Sequence, residues 1–273
     1  MWKLFRKKPN PKLGLSLGSG GAKGAAHLGV LKAFSEAGID FDIVTGTSIG
    51  SVVGAGYASG MSWEDMLSSV KNVDFSPIKR RGLLSQITMT DSANVEKILR
   101  SMFGDRKIED LKKPFAAVAV DLTQGEEVVF TEGDLCRSLT ASSAVAPVFS
   151  PVVMGDKHLV DGAYLNPIPA DIARALGAEI VISVDLSTKP QTTESMGMIG
   201  VMLGTIRIAT KNAPYKGYHN SDIVIHPDLF GFSAAKAEPE ALSAMFEIGY
   251  RAAKEKMPEI LELLKNKRYK VGC

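Results

Sequence analysis

Three short glycine-bearing stretches hold the side chains and amides through which this chain could do chemistry. Gly46-Thr47-Ser48-Ile49-Gly50 has G-x-S-x-G spacing. In that pattern a serine on a strained strand-to-helix turn projects its hydroxyl into the open. The glycines permit the tight backbone, and the helix N-terminus favours developing negative charge. The same pentapeptide also suits a plain Gly/Ser turn that caps a helix. Gly18-Ser19-Gly20-Gly21-Ala22-Lys23-Gly24 has its last glycine one residue late for a dinucleotide fingerprint, and Lys23 lacks the following Ser or Thr of a P-loop. It fits a nest of backbone N–H groups beside a cation, suited to an oxyanion or a phosphate, or a tight turn with close helix packing. Asp161-Gly162-Ala163 places a carboxylate after the apolar HLV (158–160), at a strand's carboxyl end where open α/β sheets build their sites, and equally fits an Asx turn.

The elements around these stretches follow one rhythm. LGLSL (13–17) predicts a strand running into the first glycine cluster, and a helix follows from about Ala25 to Ala37 with Leu28, Leu31 and Phe34 on one face and Gly38 as its stop. DFDIVT (40–45) predicts the next strand, GTSIG its turn, and SVVGAGYASG a small-residue helix. Strand, glycine turn and helix, twice over, predict an α/β fold with a mostly parallel sheet between two helical layers. Further strands are expected at 115–122, 126–131, 158–160, 179–186 and 222–226, with Gly125 as a hairpin turn. Helices are expected at 62–72, 92–103, 134–141, 169–176 and 197–211, and a long one over 239–264 that Pro258 bends or splits. Residues 73–91 lack periodicity and read as a loop over a site. The economical division is a basic tail at 1–12 and an α/β domain at 13–273.

Composition excludes several classes. With 45% hydrophobic and 23% charged residues, a chain of 273 is no disordered polymer. Its net charge of +2 lacks the basic footprint of a nucleic-acid binder. That balance hides +5 in residues 1–12, +3 at 79–81 and +4 at 265–270, which leaves −10 on the rest. Cys136 and Cys273 form no disulfide framework and no zinc spacing, so a reducing compartment is expected. The start MWKLFRKKPNPK has no apolar core of a secretory signal, and charges interrupt every stretch long enough to span a bilayer. The expected location is the cytoplasm, or the inner face of a membrane as a peripheral protein.

Taken together, GSGGAKG, GTSIG and SSAVAPVFSPV (142–152) leading into LVDGAYLNPIP (159–169) resemble the patatin-like phospholipase family, particularly its small single-domain bacterial members. Order, spacing and strand context agree over about residues 13–190. The resemblance implies a three-layer α/β/α serine hydrolase that cleaves carboxylic acyl esters of lipids with a Ser–Asp dyad. It makes Ser48 the nucleophile within an elbow bounded by Gly46 and Gly50, and Asp161 the base. The amides of Gly20, Gly21 and Ala22 would form the oxyanion hole, with Gly18, Lys23 and Gly24 supporting that loop. It implies no cofactor, and the residues show no metal-ligand spacing.

A dyad makes a demand on its carboxylate, which at an ordinary pKa near 3.9 is a weak base for a serine hydroxyl. One rival is visible. Ser48, Asp161 and His226 stand in the chain order of an α/β-hydrolase triad, although the glycine nest before the first helix and the absence of an HGGG element favour the dyad. His219 is a poorer candidate, His27 reads as packed against the sheet, and His158 as a strand residue.

Expected partners are a lipid ester and, through Trp2, Leu4 and Phe5 alternating with Lys3, Arg6, Lys7 and Lys8, an anionic membrane surface. A solvated tail is the plain alternative. Candidate acyl walls are Met196, Met198, Met202 and Leu203, Val148 and Phe149, and Leu83, Leu84, Ile87 and Met89, although a Met-rich helix also suits an ordinary core. The same nucleophile would serve an acyltransferase, and the fold could bind lipid or a partner without catalysis. No nucleic-acid partner is expected, and the sequence specifies no oligomeric state, head group or chain length.

Overall fold

The structure, a computed structural model, describes residues 11–72, 90–188, 198–234, 238–267 and 269. Strands β1 (Leu13–Leu17), β2 (Ile43–Thr47), β3 (Phe115–Asp121) and β7 (Ile180–Val184) are buried along their whole length. Covered on both faces, parallel strands read as continuous apolar runs, which is why the sequence reveals them. With β8 (Ile223–Ile225) they form the parallel part of one sheet in the order β3-β2-β1-β7-β8.

The rest of the sheet is antiparallel. β4 (Glu126–Phe130) returns along β3 through the Gly125 turn, and β5 (Val152–Met154) and β6 (Lys157–Asp161) form a hairpin that pairs with β3 through β6. The register places β6 unexpectedly. β2 pairs with Phe115–Val118 of β3, ending at Thr47↔Val118, while β6 pairs with Ala119–Asp121, ending at Asp161↔Ala119. Since β4 runs along the opposite edge of β3 at these same residues, β2 and β6 share one edge and approach each other end to end. The carboxyl ends of both therefore meet at Val118–Ala119.

Two helical layers enclose the sheet. Ile43 and Val44, adjacent in β2, point to opposite ones, as strand alternation requires. On the thick side, α1 (Ala25–Glu36) and α9 (Pro239–Asn266) pack Leu28, Phe34, Met245 and Ile260 over β1 and β7, and Met66 of α3 (Trp63–Asn72) joins the same cluster. Alongside, α2 (Ile49–Ala58), α4 (Ala93–Phe103) and α5 (Leu135–Ser142) bring Ala55, Leu99 and Leu139 onto Val44 and Ala117. The thin side is α6 (Ala170–Ala175), whose Ala170 and Ala173 lie on Ile43 and Val181. The expected three-layer α/β/α fold is what forms.

Three details go beyond the expectations. The sheet has more antiparallel strands than the βα rhythm suggests, because β5 and β6 are too short for their sequences to declare a direction. Pro258 does not split α9; it lies on the solvent side, where water can take the Lys254 carbonyl that it leaves without a donor. A short helix, α8 (Pro214–Asn220), follows α7 (Met198–Ala209), with Pro214 in its first turn. The tail before Pro11 and residues 73–89 lie outside the described residues, as do Met196, Arg268 and Lys270.

Candidate active site

Ser48 stands between β2 and α2 at φ 56°, ψ −128°, the described non-glycine residue with a positive φ. Such a conformation costs roughly 1–3 kcal/mol and persists only where the surroundings enforce it. They do so here on every side. The Ser142 hydroxyl on α5 accepts the Ser48 N–H at 3.0 Å, the Ser51 hydroxyl donates to the Ser48 carbonyl at 2.6 Å, and the Thr47 hydroxyl donates to the Asn166 carbonyl at 2.7 Å. The motif glycines answer to space: a Cβ on Gly46 would lie 2.4 Å from the Gly50 carbonyl oxygen, and one on Gly50 would lie 2.1 Å from that of Leu17. The turn closes only with neither side chain present.

The meeting of β2 and β6 puts Asp161 beside Ser48. A Cβ on Gly162 would strike the Val118 carbonyl at 2.3 Å and the Thr47 methyl at 3.1 Å, so glycine is required where the two strand ends abut. Asp161 is buried, and its Oδ1 accepts the Ala163 N–H at 2.8 Å. Its Oδ2 has no well-formed hydrogen bond. Burial pushes the carboxyl up from 3.8 to about 7, against the opposing pull of the Ser48 hydroxyl and the Ala163 N–H. A carboxylate in that range, with one oxygen uncommitted next to a serine, is suited to take a proton from it.

The glycine loop is tied down at both ends. Gly18 N–H donates to Val184 O and Ser19 N–H to Pro167 O, each at 2.9 Å. His27 Nε2 holds the Gly18 carbonyl at 2.8 Å, and burial lowers that imidazole to about 4, so it is a neutral donor. Lys23 is buried and donates to the Thr188 hydroxyl at 2.7 Å. Gly21 takes φ 59°, and a Cβ there would lie 2.4 Å from the Ala234 carbonyl oxygen. That carbonyl accepts the Ala22 N–H at 2.8 Å, which corrects the expectation that Ala22 offers its amide to an oxyanion. The amides of Gly20 and Gly21 meet no acceptor among the described residues.

His226 belongs to a different constellation. It follows β8, three strand spacings or about 14 Å across the sheet from β2, and its Nδ1 lies 3.1 Å from Asp185 Oδ2. Tyr218 and Ser187 also donate to Asp185, at 2.5 and 2.8 Å. Burial would raise the Asp185 carboxyl, but these partners outweigh it and hold the group at about 2. The triad order in the sequence thus does not correspond to a triad in space. His158 is an exposed residue of β6, and His219 lies in the last turn of α8.

Other expected wall residues divide. Phe149 packs on the small cluster of Ala119, Ala141 and Leu159, whereas Met202 is turned to solvent. Sequence reasoning assigned no role to Ser142, Asn166, Asp185 or Ala234. For Ser142 the signal was the SSAVAP stretch; for the others, whose parts are set by distant pairing, there was none.

Comparison with known proteins identifies the family of the chain. The family model described as patatin-like phospholipase matches residues 15–174. The rat patatin-like phospholipase domain-containing protein 7 is 37% identical over 204 residues, 70% of this chain and 15% of that protein. An NTE family protein of Mycobacterium bovis is 36% identical over 185 residues, 67% of this chain and 51% of its own length. The chain thus corresponds to one part of these longer relatives. Among solved structures, VipD from Legionella pneumophila superposes with a TM-score of 0.66 at 13% identity, covering 92% of this chain and 67% of that one. Human GIVD cytosolic phospholipase A2 does so at 0.56 and 11% identity, covering 97% and 64%; at such identities the likeness is one of fold. With more than half its length inside the family model, and relatives above 30% identity across two thirds of it, this chain belongs to the patatin-like phospholipase family.

Proposed function

We propose that this protein is a serine hydrolase that cleaves carboxylic acyl esters of lipids through Ser48 and Asp161. The observation that supports this best is the abutment of β2 and β6 on one edge of β3, which sets a strained serine beside a buried carboxylate with an uncommitted oxygen. Ser48 Oγ attacks the ester carbonyl carbon while its proton passes to Asp161 Oδ2, and the carbonyl oxygen, now an oxyanion, takes the amides of Gly20 and Gly21. As the acyl–oxygen bond breaks, the leaving alcohol carries away that proton. A water molecule then gives a proton to Asp161 and attacks the acyl-enzyme, and Ser48 recovers the proton as the fatty acid departs. Ala22 holds the loop through Ala234 in this scheme, and Lys23 does so through Thr188. The lipid class comes from the relatives' names, phospholipase among them.

The test is a hydrolysis screen across acyl lengths and lipid classes, combined with a fluorophosphonate probe and with alcohol acceptors present to reveal acyl transfer. Ser48→Ala should lose both labelling and turnover, and Asp161→Ala should lose turnover by roughly a thousandfold or more. Labelling of Ser48→Ala equal to the parent would refute the assignment.

A further inference from the structure

The outward face of α7 has the wrong chemistry for water. Its sequence is MIGVMLGTIRIA. Val201, Met202 and Ile208 are 51%, 44% and 72% exposed, and Thr205 and Ala209 are exposed with them. Positions 201, 205 and 208, with 202 and 209 beside them, recur at helical spacing and so form one stripe. On a helix of a water-soluble protein that stripe is normally the charged one. The Thr205 hydroxyl, the polar group on it, donates to the Val201 carbonyl at 3.0 Å, and that of Thr210 to the Ile206 carbonyl at 3.0 Å. Both are satisfied within the helix and ask nothing of a solvent.

We propose that this stripe docks on the surface of an anionic bilayer, with α7 lying in its plane. Charge favours that occupant. From 195 to 221 the chain contains Arg207, Lys211 and Lys216 and no Asp or Glu. Lys216 is paired with Glu127 and Asp171, while Lys211, just beyond α7, is exposed and placed to meet acidic head groups. Tyr215, in the first turn of α8, is 58% exposed and suits the boundary between head groups and acyl chains. Twelve residues span about 18 Å, and none of the described helices is long and apolar enough to cross a membrane; an amphipathic helix of this kind lies flat.

The placement also fits access. β7 and β2 are parallel, so the connection toward α7 leaves the sheet at the end that bears Ser48. Phe230, exposed, lies on the segment that leaves β8 at the same end, and Leu165, also exposed, follows Asp161 where antiparallel β6 meets β2. This inference deepens the lipid-hydrolase reading by naming the surface from which the ester is taken, and it rests on that reading for its purpose but not for its measurement.

The experiment uses the Ser48→Ala chain, which leaves lipid intact, and sedimentation with phosphatidylcholine–phosphatidylserine vesicles and with phosphatidylcholine vesicles. Adding Val201→Glu with Ile208→Glu should lower partition onto the anionic vesicles by roughly tenfold or more. Leu261→Glu, on an exposed position of α9, should leave it unchanged. In the Ser48 background, the two α7 substitutions should not alter turnover of a water-soluble short-chain ester. As a second readout, Met202→Trp should gain a blue-shifted emission on anionic vesicles relative to the parent. Equal partition of the Glu variant and its parent, or no shift at Trp, overturns the proposal. So does a concentration-dependent dimer that the Glu variant abolishes while vesicles leave both chains in solution, since the stripe is then an interface between copies. Loss of vesicle binding in an enzyme without any esterase activity would sink the function and leave the docking surface standing.

Discussion

At the scale of single residues, burial gives Asp161 what a base for a serine hydroxyl needs and charges stability for it. The folded protein binds its proton up to about pH 7, whereas the unfolded chain releases it near 3.8. Between those values the native state holds the proton more tightly, so stability falls as pH rises through the window, and above pH 7 the ionised group costs about 4 kcal/mol. Asp161→Asn removes the ionisation and keeps an acceptor for Ala163 N–H. Thermal melts should therefore show the variant more stable than the parent at about pH 8 and equal to it below about pH 4. For the parent, kcat/KM should rise by about tenfold per pH unit below 7 and level off above it, because only the unprotonated carboxylate can accept the Ser48 proton. A flat profile across that range would show that Asp161 does not act as the base.

At the scale of elements, the loop that offers Gly20 and Gly21 is gripped by two segments. One follows β7 and supplies Thr188 to Lys23; the other follows β8 and supplies the Ala234 carbonyl to Ala22. The Asp185–His226 pair joins these segments near their roots. Hydrogen bonding to Asp185 raises the imidazole above 6.5, partly opposed by burial, so its contribution is full below that pH and fades as pH rises through the raised value. The Asp185 contribution holds above 3.8 and fades only as pH falls toward 2. His226→Gln should accordingly lower Tm more at about pH 5 than at about pH 9, while soluble-ester turnover persists. Loss of turnover on the scale of Asp161→Ala would instead restore His226 as a catalytic base. The same elements mark what the sequence could disclose. Local chemistry was legible: β1 and β2 are apolar runs closed by glycine turns, and Ser48 stands where G-x-S-x-G puts it. Non-local pairing was not. Nothing in HLVDG says that β6 runs antiparallel, or that it stops one residue of β3 short of β2, and nothing in GSGGAKG says that Ala234 will take the Ala22 amide.

At the scale of the molecule, the proposed bilayer contact has two candidate holds beneath the near-neutral total, and salt separates them. Residues 1–12 carry +5 with Trp2, Leu4 and Phe5 among them, so their attraction to an anionic surface is mainly Coulombic and is screened over about 10 Å at 0.1 M salt and about 3 Å at 1 M. The α7 stripe of Val201, Met202 and Ile208 gains by leaving water, and added salt does not weaken that gain. Deleting residues 2–8 should therefore reduce partition onto phosphatidylserine-containing vesicles strongly at low ionic strength and little near 1 M. The Val201→Glu, Ile208→Glu chain should be impaired at both. If the tail deletion were equally damaging at high salt, its aromatic residues rather than its charges would be the anchor; if it had no effect at low salt, α7 and its neighbouring cations would hold the surface unaided. The +5 would then be a solvated tail, and the asymmetry of charge along the chain would have no part in orienting Ser48 toward its ester.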